Sequence, residues 1–467
     1  MITLLLIILI RTLRFKPKKQ AEIQAEPVGF DKEKAVQDLQ AMIRCKTVSS
    51  TNKLEEDEKE FEKFYEVLRE RFPLVHEKCE MEKIGTRGIV FKWKGESELE
   101  PSVLMAHFDV VSVEESEWER DPFSGDIENE ILHGRGTLDT KGTLNGVMQA
   151  VEKYLAEGYV PKNDIYLAFC GDEEINGPHA GQVVEMFKSR NITPALVVDE
   201  GGAVVENVFP GVTKKCALIG IAEKGSMNLE YSCGGISGHS STPPPHTSVG
   251  ILSSACVKVE NTPFKMKLVK PVKEMFDNLA RHSNFLYRMI FANLWLFAPV
   301  LNMICLKSGG EMNAMLRTTT AFTQMNGSKG MNVIPSEATM LSNNRIICGE
   351  TTETVVENIR EIINDDRVNL RVVTKMDPSE VSETDEKYDI VANTISEIWQ
   401  DAVVSPYLMM AASDSRHYGE ISKHVYRFSA MEMTSAERKM IHGKNEQITF
   451  KGIWQAVEFY VRLIRKL

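Results

Sequence analysis

A chain of 467 residues carrying 55 Lys and Arg against 66 Asp and Glu, for a net charge of -11, is too long for one ordinary core, and its acidity excludes general nucleic-acid binding, which rewards a basic face. Its 43% hydrophobic and 26% charged residues exclude wholesale disorder. The eight cysteines are scattered with no close pair, which excludes zinc fingers, redox motifs and a disulfide scaffold.

Ile2 to Ile10 is an unbroken run of apolar or small residues, ITLLLIILI, followed by the basic stretch RTLRFKPKK. The run is shorter than the roughly 20 residues that span a bilayer. It lacks the basic n-region and small-residue cleavage site of a signal peptide, so residues 1–26 read as a hydrophobic signal-anchor or peripheral attachment with a basic linker. With the sequons at Asn191 and Asn326, this suggests a secretory route and an extracellular or membrane-associated protein.

Asp31 to Arg44 and Lys59 to Arg71 carry a helical period. Four apolar runs then read as buried strands: Gly88 to Trp93, Val103 to Ala106, Ile165 to Cys170 and Ala195 to Val198. Between the second and third lies an amphipathic helix, Leu144 to Ala156, ended by Gly158. Strands alternating with helices predict a layered α/β sheet covered on both faces. Ligands bind beyond the carboxyl ends of such strands. His107 follows VLMA there, Glu173 and Glu174 follow IYLAFC, and Asp199 follows ALVV.

The character changes after Gly220. Met227 to Ser232 alternates as a strand before GGISGHSSTPPPH interrupts it; Ser248 to Val259 reads as a helix and Ala338 to Ile347 as a strand. Between them, Phe276 to Leu306 is conspicuously apolar. The predicted organisation is a catalytic domain in two parts, 27–217 and 379–467, with an α+β lid inserted at 218–378. Helices at Ile390 to Asp401 and Ile453 to Leu467 close the chain.

Five separated positions suit metal ligation: His107, Asp139, Glu174, Asp199 and His442. Two imidazoles and three carboxylates fit a pair of divalent cations better than one, and such a pair makes a hydrolytic site. His107 and Asp109, two apart at a strand end, share a face, so Asp109 can accept the second ring N–H of a ligating imidazole. Asp139 opens a helix from a glycine-bent loop; it is suited to bridge two cations, although an Asp N-cap accounts for a lone Asp there. Glu173 and Glu174 diverge in extended backbone, which assigns Glu173 as general base and Glu174 as ligand. In DEGG either Asp199 or Glu200 can ligate; Asp199, directly after its strand, is preferred.

In this order, HFDVV, the W…DPFSG…ILHGRGTLDTKG stretch, GDEEING, VVDEGG and GHSSTP resemble the co-catalytic zinc exopeptidase family. That family includes aminoacylase, carboxypeptidase S and the N-fatty-acyl-amino-acid synthase/hydrolases. MNVIPSEA, SDSRHY and IHGKNE extend the resemblance, and MLRTTT in the long insertion points to the carboxypeptidase S branch. The resemblance implies a zinc-exopeptidase-like α/β catalytic domain with an inserted α+β dimerisation lid. It implies two zinc ions per subunit at His107, Asp139, Glu174, Asp199 and His442, with Glu173 as base and Asp109 as orienting acid. It also implies that His239 on the lid reaches a substrate carbonyl oxygen, often in a homodimer partner's site. Asn332 and Arg345 match positions that hold a substrate carboxylate, a task suited to the planar Arg fork. One departure is Ala411-Ala412, where the family usually has paired glycines; two added methyls narrow the pocket.

The expected activity is cleavage, and reverse formation, of an amide beside a free carboxylate in small N-acyl amino acids, long-chain ones above all. Short peptides are the alternative substrates, and a catalytically silent binding protein on the same fold is the rival of another class. Phe276 to Leu306 is expected either to pack as paired lid helices or to offer an apolar wall to an acyl chain or membrane.

Overall fold

The computed structural model describes residues 1–17 and 25–467, so part of the predicted basic linker lies outside the described residues. In chain order, the strands of the two main sheets are β1 Glu80–Ile84, β2 Gly88–Trp93, β3 Ser97–His107, β4 Asn163–Cys170, β5 Leu196–Asp199, β6 Val204–Val205, β7 Cys216–Glu223, β8 Gly225–Gly234, β9 Thr319–Asn326, β10 Glu337–Ile346, β11 Asn369–Met376, β12 Val403–Met409, β13 Val425–Arg427 and β14 Glu432–Met433. The helices that matter below are α1 Ile2–Arg14, α2 Lys141–Ala156, α3 Ser248–Glu260, α4 Lys270–Leu279, α5 Phe285–Ala292, α6 Leu294–Ser308, α7 Gly310–Leu316, α8 Thr352–Ile363 and α9 Phe450–Ile464.

Ten strands form one sheet in the order β1-β2-β4-β3-β5-β13-β7-β6-β14, with β12 parallel to β7. β4, β3 and β5 are adjacent and parallel, the arrangement that buries both sheet faces and selects near-continuous apolar runs. Successive residues of β3 alternate between the two cores. Leu104 and Ala106 join the cluster that includes residues of α2, α9 and helix Lys32–Ile43, whereas Val103 and Met105 join the one around helix His179–Ser189. Each fully buried Leu or Val there contributes about 1.5–3 kcal/mol. This is the layered α/β fold expected from the sequence.

A second, antiparallel sheet has the order β9-β10-β8-β11. One face carries α3 and α8, which bury Leu252, Ala255, Val355 and Ile359 against Met227, Leu229 and Tyr231 of β8. Thr247 caps α3 by accepting from Gly250 N, and Thr351 with Thr354 forms a capping box on α8. These caps fix where both helices begin.

Three features differ from the sequence expectation. β7 spans the expected boundary at 217/218 and belongs to the large sheet; the lid sheet starts at Gly225 and ends at Met376. The apolar segment does form two consecutive helices, α5 and α6, meeting at a bend of 112°, but neither joins the core of the lid sheet. Met275, Phe276 and Leu279 of α4, Phe291 of α5 and Met315 of α7 pack instead with Cys216, Ala222, Val403 and Leu408 of β7 and β12, because those strands leave apolar side chains that need a cover. Finally, the helix expected at Ile390 begins at Glu386, where Asp385 accepts from Lys387 N, and the last helix begins at Phe450, where Thr449 accepts from Gly452 N. Polar caps, not the apolar period, set those starts.

Candidate metal centre and its cavity

β3 delivers His107 at its end, buried at 2% exposure. Its Nε2 lies 2.9 Å from Asp139 Oδ1, and its Nδ1 lies 3.1 Å from the Asp109 carbonyl and 3.3 Å from Asp109 Oδ1. Asp109 does more than orient the ring. Its two carboxylate oxygens accept the backbone N–H groups of Glu173 at 3.2 Å and Glu174 at 3.1 Å, and Ser49 Oγ donates to it at 2.6 Å. One buried carboxylate thus ties the end of β3 to the turn that follows β4.

Asp139 stands in the loop that opens α2. Gly136 in that loop has φ +90°, and a Cβ there would meet Val110 Cγ1 at 2.8 Å; only glycine serves both constraints. From the far end of the sequence His442 completes the group. Its Nε2 is 3.1 Å from Asp139 Oδ2 and 2.9 Å from Glu174 Oε2. His442 itself has φ +57°, a left-handed conformation uncommon outside glycine, and such strain gathers at functional positions. The loop and the His442 segment are fastened together by Glu446, which accepts from Arg135 Nη1 at 2.6 Å, Gly136 N at 3.1 Å and Leu138 N at 2.7 Å.

Donor atoms of His107, Asp139 and Glu174 all lie within 4.8 Å of one another. Two donors at about 2.1 Å from one tetrahedral ion are about 3.4 Å apart, so these separations suit a shared cation. Glu174 Oε1 is buried without a hydrogen-bond partner, a costly arrangement unless something else satisfies it. The imidazole and carboxylate set therefore fits divalent metal.

The electrostatics point the same way. Burial opposes charge on His107, but hydrogen bonds with Asp109 and Asp139 outweigh it and hold the imidazole pKa well above its usual value. Burial likewise raises Asp139, yet hydrogen bonds from His107 and His442 win and hold it low. Hydrogen bonds to Asp139 and Glu174 push His442 up to about 10. Burial first, then neighbouring carboxylates, raises Glu173, and burial also raises Glu200 well above the carboxylate range. A group of acids this closely packed gathers cations.

Asp199 is buried, and its Oδ2 accepts from Ser415 N at 2.9 Å. Ser413 and Ser415 are held by Glu223, which pairs with the fully buried Arg427 at 2.6 Å. Glu200 lies on the cavity wall. That cavity, of about 620 Å³, is lined by Asp139, Glu173, Glu174, Glu200 and His442 together with Val205, Val208, Leu218, Met275, Leu279 and Met315. Ala411 and Ala412 also line it, so both extra methyls narrow this space.

His239, Asn332 and Arg345 are not among the residues lining it. His239 is exposed on the short strand Gly238–His239, paired with Val333–Ile334, and Ser240 N donates to the Asn332 carbonyl at 3.0 Å. Arg345 is half-buried in β10, where burial lowers its guanidinium pKa. Of the apolar stretch Phe276 to Leu306, only Leu279 reaches the cavity wall. Sequence reasoning missed Glu446, which the IHGKNE run offered four residues after His442, and Arg416 of SDSRHY, whose Nη1 lies 3.9 Å from Glu173 Oε1. The Glu223–Arg427 pair had no local signal.

Residues 103–466 match the model of peptidase family M20/M25/M40. The chain is 34% identical to a probable carboxypeptidase S-like 2 protein of Dictyostelium discoideum over all of this chain and 92% of the relative. It is 35% identical to an N-fatty-acyl-amino acid synthase/hydrolase of Xenopus tropicalis over all of this chain and 93% of the relative. The solved M20 family metallo-carboxypeptidase of Sulfolobus solfataricus superposes with a TM-score of 0.68 at 16% identity, covering 92% of this chain and 98% of that one. The order of strands, the inserted lid and the family match agree: the chain belongs to peptidase family M20/M25/M40 and is a metal-dependent hydrolase.

Proposed function

We propose that this chain hydrolyses, and in reverse forms, the amide bond of N-acyl amino acids with extended apolar acyl groups. His107, Asp139, Glu174 and His442, with Asp199 or Glu200 as the fifth ligand, would hold two zinc ions. The observation that carries the substrate reading is the single cavity in which the acid and imidazole residues share walls with Val205, Leu218, Met275, Leu279 and Met315. Its volume falls within the roughly 300–1,000 Å³ of small-molecule sites, most of which are apolar with a few placed polar groups. The likeness to an N-fatty-acyl-amino acid synthase/hydrolase supports the same choice.

Bound divalent cations supply Lewis acidity and offset the carboxylates. Glu173 takes the proton of the attacking water and returns it to the leaving nitrogen. Asp109 holds the His107 ring and the Glu173–Glu174 turn in register, so ligand and base keep a fixed spacing. His239 and Asn332 stand together on an exposed element of the lid, a placement that supports their serving the cavity of a partner subunit in a homodimer. There His239 steadies the carbonyl oxygen, and Asn332 and Arg345 hold the substrate carboxylate.

A carboxypeptidase or dipeptidase is the second reading, favoured by the carboxypeptidase S-like relative and the metallo-carboxypeptidase fold. A mass-spectrometric screen of zinc-loaded protein against N-acyl amino acids and dipeptides separates them. Release of free amino acid from long-chain N-acyl substrates is expected; turnover of dipeptides alone overturns the acyl reading.

A further inference from the structure

The N-terminal helix α1 is not a free tail. Arg11 Nε donates to the Ala292 carbonyl at 3.1 Å, and Asn293 Nδ2 donates to Thr12 Oγ1 at 3.3 Å and to the Ile8 carbonyl at 3.4 Å. Arg281 Nη1 donates to the Lys16 carbonyl at 3.1 Å, and its guanidinium sits 4.3 Å from the centre of the Phe15 ring. Ile8 and Thr12 are buried, and the inner side of α1 lies against α5 and the Asn293 that joins α5 to α6.

Much of the surface of these helices faces outward and is apolar. Leu5, Leu9 and Leu13 of α1 are exposed, as are Leu286 of α5 and Trp295 and Met303 of α6, the last two at 56% and 63%. Isolated exposed apolar residues need no explanation, but a contiguous face of them marks an interaction site. Its charge is one-sided. From Met1 to Lys16 and from Asn278 to Gly310 there is no Asp or Glu, while Arg11, Arg14, Lys16, Arg288 and Lys307 are all basic. In a chain of net charge -11, this apolar face with basic residues matches an anionic lipid surface.

The lengths decide how such a face meets lipid. At about 1.5 Å per residue, α1 and α6 are roughly 20 Å long, short of the bilayer's roughly 30 Å apolar core. Among the described residues no single helix is long and apolar enough to cross a membrane, and α5 with α6, which pass that test together, meet at a bend of 112°. Neither α1 nor α6 alone reaches across the apolar core, which leaves the interfacial layer as the place where this face can seat.

We infer that α1, α5 and α6 form one bilayer-docking platform that seats the enzyme on an anionic membrane surface. The same insertion turns inward next to it: α4 and α7 supply Met275, Leu279 and Met315 to the cavity wall. Docking uses no residue that lines the cavity, so it stands apart from the substrate reading.

The test is co-sedimentation of the full chain with phosphatidylcholine vesicles, with and without phosphatidylserine, at low and high salt. The expected result is binding that phosphatidylserine strengthens and salt weakens, with the catalytically inert Glu173→Gln protein binding as well as wild type. Trp295→Asp with Met303→Asp is expected to lower vesicle binding at least tenfold, and Arg14→Glu with Lys307→Glu to remove the phosphatidylserine preference, each basic residue near the surface being worth on the order of fivefold. Unchanged melting temperature and unchanged turnover of a short-acyl, water-soluble substrate show that both variants are folded. Absence of wild-type binding to either vesicle overturns the platform, as does binding that survives Trp295→Asp with Met303→Asp. A stable dimer that those same substitutions split into monomers overturns it too, by assigning the face to a second copy. Loss of turnover in Glu173→Gln with vesicle binding intact bears on the substrate reading alone.

Discussion

Glu446 receives the backbone N–H of Leu138 at 2.7 Å, a hydrogen bond that joins residues 308 apart in the sequence. The same carboxylate pairs with the buried Arg135 at 2.6 Å and accepts from Gly136 N. Asp139 and His442, which reach the centre from opposite halves of the catalytic domain, are thereby set on one scaffold. Removing Glu446 leaves Arg135 buried and unpaired, which typically costs about 3–5 kcal/mol. Glu446→Ala is therefore expected to lower the unfolding free energy by that order and to reduce metal content. Denaturant unfolding and elemental analysis check it; a variant with wild-type stability and full metal contradicts the role.

Glu173 and Glu174 are neighbours with separate proposed roles, base and ligand. Glu173→Gln keeps the shape of the side chain but cannot carry a proton, so kcat is expected to fall by at least 100-fold, the typical scale of general-base catalysis, while metal is retained. Glu174→Gln is expected to lose metal as well, since its Oε2 contacts His442. Elemental analysis beside single-turnover kinetics distinguishes the pair, and reversed phenotypes would exchange the assignments.

For the fifth ligand the two acids of DEGG behave differently. Asp199 has one oxygen engaged by Ser415 N, whereas Glu200 lines the cavity. If Asp199 ligates, Asp199→Asn drops the metal content toward one equivalent and Glu200→Gln leaves two. Metal loss confined to Glu200→Gln would pass the role to Glu200.

How much of this was legible in the sequence depended on how local each signal was. β3, β4 and β5 were readable because strands covered on both faces need continuous apolar runs, and the candidate ligands stood at their ends. The lid strand β8 was readable from its alternation and helix α3 from its run between Ser248 and Val259. What escaped was set by distant partners. Nothing near Met275 or Leu279 says that they cover β7 and β12 rather than the lid, because an apolar helix carries no address for its neighbour. Within HFD, Asp109 shows itself only as a partner of His107; its bonds to the Glu173 and Glu174 backbone follow from the pairing of β3 with β4. Glu223 and Arg427 became visible as a support for Ser413 and Ser415 only once β7 and β13 were neighbours.

Lys224, at the switch from β7 to β8, offers a pH test away from the metal ligands. It is 1% exposed and donates to the carbonyls of Ala314 at 2.9 Å and Arg317 at 2.8 Å, at the end of α7. Burial, then the Arg345 charge, lowers its pKa to about 7 from 10.5. Between those values the unfolded chain holds a proton that the folded chain has released. The unfolded state binds more protons, so this lysine's contribution to stability rises with pH across that window, by at most about 1.4 kcal/mol per unit. Below it both states are protonated and the penalty of burying the charge is fully present. The stability difference between wild type and Lys224→Met is expected to grow in favour of wild type from neutral to alkaline pH. Urea unfolding at several pH values measures it, and a pH-independent difference would contradict the buried, easily deprotonated lysine.

The central claim is that a hydrolytic metal centre opens into an apolar cavity that receives an acyl chain. Each methylene buried there contributes about 0.8 kcal/mol, or roughly fourfold in binding. The most direct measurement is kcat/KM for a homologous series of N-acyl derivatives of one amino acid, from acetyl to long-chain, on zinc-loaded wild-type protein kept below the micelle concentration of every substrate. The predicted result is a rise of several-fold per added carbon until the cavity is filled, and then a plateau. Equal values for acetyl and long-chain substrates, or a fall with chain length, would contradict the account.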